Sequence, residues 1–200
     1  MKQGLRMSGG SHLALAGGLC IGLAAAIGQA QTSAKLLWEI GRADNDDREF
    51  ALAPGQYNQF REDGFFAVGV SDPKRDWPYV HPGPADGWAG GRQHTFTVVF
   101  GTKQLAEEGK CRLVVDLVDT HSQAPPQLLV VVNGAQFQHS TPKGAGDDSV
   151  FGQPQKGREH RFEMVFPLSL LKTGSGNEIA ITTVAGSCVL YDWKIGRAHV

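Results

Sequence analysis

Helical periodicity, cysteine pairs, catalytic signatures and a surplus of positive charge are what this 200-residue chain lacks. After residue 30 no segment keeps apolar residues at helical spacing beyond two turns, so the domain is not helical. Its histidines at 81, 94, 121, 139 and 160 are scattered, without an H-E-x-x-H run or a C-x-x-C pair, and no metal centre can be read from them. Asp119-Thr120-His121 is an isolated D-x-H, too little to define a catalytic pair. No G-x-S-x-G or phosphate loop occurs, and Ser169 and Ser175 have no base nearby in sequence. The formal net charge is −1, which speaks against nucleic acid or an anionic membrane surface as partner.

The two ends are unlike the middle. Residues 1–30 combine Lys2 and Arg6 with an apolar run from Leu13 to Ile27 and the small residues of Gly28-Gln29-Ala30. This is the pattern of a secretory leader cleaved after Ala30, which predicts a secreted or periplasmic protein with no membrane attachment once processed. The apolar run is shorter than the roughly 20 residues of a spanning helix. At the other end, Ile195–Val200 (IGRAHV) resembles a translated sequencing adapter, so the gene is expected to continue differently beyond residue 194. Without both ends the chain holds 16 basic and 20 acidic side chains, a net charge of −4, and two cysteines. Cys111 and Cys188 are candidates for a disulfide in an exported protein. The other reading is two buried thiols.

What is present is a series of short apolar runs punctuated by Gly, Pro, Asn and Asp. The spacing predicts strands over Leu36–Ile40, Phe65–Val70, His94–Phe100, Arg112–Val118, Leu128–Val132, His160–Phe166, Asn177–Thr183 and Val189–Trp193. Phe96, Val98 and Phe100 alternate with Thr95, Thr97 and Val99, giving one buried and one wetter face. Asn133-Gly134 is a hairpin turn, so Ala135–Gln138 is expected to pair back as a ninth strand. The fold class is all-β: a two-sheet antiparallel β-sandwich of jelly-roll type over residues 36–194.

Three loops exceed hairpin length: Gly41–Gly64, Ser71–Gln93 and Ser140–Glu159. Long loops on a rigid scaffold are where binding groups concentrate. The second contains VSDPKRDWPYVHPGPADGW, in which prolines 73, 78, 82 and 84 limit backbone freedom. Rigid aromatics suit sugar rings, so Trp77, Tyr79 and Trp88 are the candidate stacking platforms, with Arg75, Asp76, His81 and Arg92 as polar partners. In the competing reading these rings plug one end of the sandwich. The acidic stretches Asp44-Asn45-Asp46-Asp47 and Asp147-Asp148 are candidates for structural calcium, or for turns in which carboxylates bond backbone amides. No other cofactor is indicated.

Trp38-Glu39-Ile40-Gly41, Val68-Gly69-Val70-Ser71-Asp72 leading into Lys74-Arg75-Asp76-Trp77, and Tyr191-Asp192-Trp193 together resemble the carbohydrate-binding-like third domain of rhamnogalacturonan lyases, polysaccharide lyase family 4. The resemblance implies a jelly roll that packs beside a catalytic domain and helps to hold polysaccharide, with the catalytic lysine and histidine in a separate first domain. The expected function is a non-catalytic carbohydrate-binding or accessory domain of an exported pectin-degrading enzyme, with a pectic polysaccharide and a catalytic domain as partners. Two rivals stand beside it. The chain could itself be a lyase or glycoside hydrolase, with His81, Arg75 and Arg92 recruited, or it could be a structural module without ligand.

Overall fold

The computed structural model describes residues 35–103, 105 and 108–199, with side chains described as far as Asp192. The leader expected over residues 1–30 lies outside the described residues, as do the side chain of Trp193 and residue Val200. Among the described residues no helix is long and apolar enough to cross a membrane.

The alternating runs become strands of two packed sheets. One is ordered β1 (Lys35–Gly41), β10 (Val189–His199), β5 (Lys110–Thr120), β8 (His160–Pro167), with the two-residue β3 (Val80–His81) also on β10. The other is ordered β2 (Phe65–Ala67), β4 (His94–Thr102), β9 (Gly174–Ala185), β6 (Gln127–Val132), β7 (Ala135–Ser140). Set aside the short β2 and β3, and the remaining strands lie first, last, third, sixth in one sheet. In the other they lie second, seventh, fourth, fifth. That is the strand order of a jelly roll, two interlocked Greek keys.

Period-two burial builds the core. Phe96, Val98 and Phe100 of β4, Leu128, Val130 and Val132 of β6, and Ile179 and Ile181 of β9 face Leu113, Val115 and Leu117 of β5 and Phe162, Met164 and Phe166 of β8, all within one buried cluster. Trp38 is buried as well, tilted against Phe100 at 5.7 Å. The β6–β7 hairpin turns on Asn133 (φ 47°) and Gly134 (φ 93°), the positive-φ pair that its sequence requires.

Four expectations are corrected. The strand predicted over Phe65–Val70 stops at Ala67, because Gly69 takes φ 85° and turns the chain. Val80–His81 pairs with Leu190 and Val189, a strand too short and too closely flanked by prolines to be read from sequence. The last strand continues past Lys194 to His199, with Ile195 paired to Glu39 and Val114, and Ala198 to Lys35 and Cys111. Lying between β1 and β5, this length of β10 pairs its backbone groups with both neighbours, which is what holds it in the sheet. The fourth concerns the cysteines. Cys111 lies opposite Ala198, whereas the Cys188 carbonyl accepts the N–H of His121, ten residues on and just past the end of β5. At about 3.3 Å per residue the two are about 30 Å apart, far beyond disulfide reach, and both are free buried thiols. Burial pushes their ionisation up, to about 11 at Cys111 and about 12 at Cys188.

Candidate functional site

The seven side chains singled out in the Ser71–Gln93 loop do not form one surface. Trp77, Tyr79 and His81 are each 0% exposed, so the platform expected from Trp77 and Tyr79, with His81 as polar partner, is corrected: all three belong to the core. Trp77 meets Phe96 edge-on at 5.1 Å and Tyr191 at 5.6 Å. His81 stacks on Phe96 at 3.9 Å, its Nε2 lies 2.9 Å from the His94 carbonyl, and its Nδ1 lies 2.7 Å from the Tyr191 hydroxyl. A carbonyl only accepts, so Nε2 carries the hydrogen and Nδ1 accepts from Tyr191. Arg75 and Asp76 pair with each other at 2.7 Å and line a separate groove with Asp63 and the exposed Phe65. Arg92 lies on the surface 3.5 Å from Asp63. Trp88, 36% exposed, alone of the seven borders an aromatic cleft.

The signature residues explain this burial. Asp72 caps the short helix Pro73–Asp76 by accepting the Lys74 N–H, and Asp76 accepts the Asp72 N–H in return. This closed turn directs Trp77 inward. Ala51 donates to the Trp77 carbonyl, and the Tyr79 N–H donates to the Ala51 carbonyl, so the loop is backbone-paired. Gly41, at φ 81°, lies where a Cβ would fall 2.4 Å from the Asp192 carbonyl oxygen. The first and last motifs therefore meet at a point where only glycine fits.

The cleft holds about 250 Å³ at one end of the sandwich and draws on all three long loops. Tyr57 comes from the first, Trp88 from the second and Phe151 from the third. Tyr57 contacts Trp88 edge-on at 5.1 Å and Phe151 at 5.6 Å. Phe151 is 56% exposed. His121, at the end of β5, and Asp147 add polar groups, with His121 Nε2 3.9 Å from Asp147 Oδ1. His121 Nδ1 accepts the backbone N–H groups of Gln123 and Ala124 at 3.2 and 2.9 Å, so its hydrogen is on Nε2, the atom nearest Asp147.

Asp119 holds the third loop in place. Its Oδ1 accepts the N–H groups of Thr120 and Ala145, and its Oδ2 accepts the Ser149 hydroxyl at 2.7 Å. Gly144 packs so closely there that a Cβ would stand 1.6 Å from the Thr120 carbonyl oxygen. Asp86 ties the second loop to the β9–β10 turn by accepting the Gly83 N–H and the Ser187 hydroxyl. From below, the Tyr79 hydroxyl donates to the Val150 carbonyl. In D-x-H the Asp is thus a scaffold anchor and the His a cleft residue. Sequence reasoning missed Tyr57 and Phe151, since lone aromatics in polar loops carry no local signal.

The carboxylates of the acidic stretches have different surroundings, and both oxygens of Asp47 are buried with no hydrogen-bond partner among the described residues. Asp192 Oδ1 accepts the N–H groups of Asp44 and Asp46, and Asp46 Oδ1 accepts that of Arg48. Burial and the nearby Asp116 raise the Asp192 carboxyl to about 7, while burial and Asp46 raise Asp47 to about 6. Asp148 pairs with Lys156 at 2.9 Å. Among the described residues no group of three or more His, Cys, Asp or Glu side chains is placed to hold a metal ion.

No curated protein matches the sequence. Among solved structures, a family 35 carbohydrate-binding module from Cellvibrio japonicus is similar at 16% identity and TM-score 0.39, over 82% of this chain and 92% of that one. A family 35 module from an environmental isolate is similar at 14% identity and TM-score 0.35, over 55% of this chain and 66% of its own. A cycloalternan-forming enzyme from Listeria monocytogenes is similar at 13% identity and TM-score 0.33, over 54% of this chain. This chain spans only 8% of the Listeria enzyme's length. Residues 36–194 match the family described as CBM-like, polysaccharide lyase family 4, domain III, and the chain belongs to that family.

Proposed function

We propose that this domain is a non-catalytic carbohydrate-binding module of an exported, pectin-degrading enzyme, and that it seats a sugar unit in the cleft of Tyr57, Trp88 and Phe151. The observation that carries this reading is the meeting of three aromatic rings from three separate long loops at one open end of a rigid sandwich. Apolar ring faces supply binding energy to the C–H faces of a sugar, and His121 and Asp147 supply directional hydrogen bonds. The catalytic unit that such a module serves would be a separate domain.

The lyase or hydrolase reading requires a base able to reach substrate. His81 is sealed in the core with both ring nitrogens engaged, and Arg75 and Arg92 do not border the cleft. A single shallow site suggests affinity on the order of millimolar, near −4 kcal/mol. The test is calorimetric titration of the protein, and of its Trp88→Ala and Tyr57→Ala variants, with pectic oligosaccharides, with circular dichroism as the folding control. Binding by wild type that is lost in both folded variants supports the cleft. Undiminished binding by both moves the site elsewhere, turnover to unsaturated product favours a lyase, and neither binding nor turnover favours a structural spacer.

A further inference from the structure

The polar equipment of the cleft is one-sided. Among the described residues that line it there is no lysine or arginine, and its charged groups are the carboxylates of Asp86 and Asp147. Asp86 is buried and committed to Gly83 and Ser187, which leaves Asp147 as the solvent-facing carboxylate. Lys156, in the adjoining groove, is tied to Asp148. His121 contributes a donor and no acceptor, since two backbone amides occupy its Nδ1.

The aromatic cleft therefore presents one N–H donor and one carboxylate acceptor side by side, 3.9 Å apart, beside apolar rings. Two neighbouring sugar hydroxyls fit such a pair, one accepting from His121 Nε2–H and the other donating to Asp147. A sugar carboxylate does not fit: it has no hydrogen for Asp147, meets a like charge, and finds no cation in the lining.

We infer that the cleft selects neutral sugar units, reading two adjacent hydroxyls with His121 and Asp147, and excludes uronates. This rests on the carbohydrate-binding reading above. Within a pectic polymer it directs the module to neutral residues or neutral side branches rather than to galacturonate.

The full chain is titrated with neutral oligosaccharides (galacto-, arabino-, manno-, xylo- and cello-series) and with oligogalacturonate and oligoglucuronate, at low and high salt. The expected result is Trp88-dependent binding of at least one neutral series, insensitive to salt, with uronates bound at least about tenfold more weakly. Asp147→Asn, a substitution at an exposed side chain, should weaken neutral binding about tenfold and narrow the gap to uronates, as loss of a charge-assisted acceptor requires. Trp88-dependent uronate binding equal to or tighter than neutral binding overturns this inference and leaves the module reading standing. An Asp147→Asn variant with unchanged affinity and selectivity overturns the role of Asp147. Absence of binding by a folded protein to either set overturns both the inference and the reading beneath it.

Discussion

The two halves of the loop from Ser71 to Gln93 carry similar chemistry and end in opposite environments. Trp77, Tyr79 and His81 in the first half are core, while Trp88 and Arg92 in the second face solvent. Pro73, Pro78, Pro82 and Pro84 fix φ locally, but a fixed φ does not decide whether a ring is buried, so stiffness does not separate the halves. Backbone partners do. The first half is hydrogen-bonded to Ala51 on one side and to β10 on the other, with the Tyr191 N–H donating to the Tyr79 carbonyl. A segment paired on both sides must turn its side chains into the sandwich or out of it, and the rings go in. The second half is tied to the β9–β10 turn through Ala85 and Asp86, but residues 87–91 close on themselves, with Gly90 donating to the Gly87 carbonyl and Gly91 to the Asp86 carbonyl.

Four experiments would break or sharpen this contrast, in order of expected effect. Trp77→Ala removes a fully buried ring and should cost about 3–5 kcal/mol, read as a collapse of the urea midpoint. A loss below about 1 kcal/mol would mean that the first half is not core. Asp119→Ala strands two amides under the cleft, leaves the Ser149 hydroxyl only the Gly146 carbonyl, and should cost about 2–3 kcal/mol, with faster amide exchange across residues 144–151. Unchanged exchange there would remove Asp119 as the loop's anchor.

Third comes pH. The folded-state ionisation of Asp192 is raised from 3.8 to about 7, so between those values the native state binds a proton that the unfolded chain does not. Its contribution is present below about pH 4 and lost as pH rises through about 7. Asp47, raised to about 6, acts in the same sense. Asp192→Asn keeps an acceptor for Asp44 and Asp46 without the charge. It should flatten the decline and leave the variant about 1 kcal/mol more stable than wild type at pH 8. Parallel stability–pH curves for the two proteins would refute the assignment. The smallest stability effect is expected at Trp88→Ala, within about 1 kcal/mol, because the ring lies outside the core cluster and is 36% exposed. Its loss should show in glycan titration alone, as a drop of tenfold or more. Unfolding of this variant would erase the contrast.

The candidate site was legible only in outline. The three long loops could be picked out by length, and all three reach the cleft. Trp88 was found because it is a tryptophan in a rigid loop, but the same argument selected Trp77 and Tyr79, since burial of a loop residue depends on partners far away in sequence. Tyr57 and Phe151 touch across 94 positions, which is the difference between their numbers, and no local pattern encodes such a meeting. His121 could be noticed, but its exposed Nε2 hydrogen follows from two amides that curl back onto its Nδ1. The family motifs proved to hold the fold together, partly in the core and partly at the surface: Gly41 against Asp192, the exposed Asp72 capping a turn, and Trp77 and Tyr191 in contact.

By itself the sequence determined the strands that alternate in hydrophobicity, the Asn133-Gly134 hairpin and the two-sheet class, because period-two alternation and positive-φ turns are properties of neighbouring residues. Tertiary structure alone decided the pairing of Val80–His81, the continuation of β10 to His199, the separation of Cys111 from Cys188, and which aromatic rings reach solvent. Each depends on which backbone groups find partners and which apolar faces find cover, and the sandwich settles that only when distant strands close on one another.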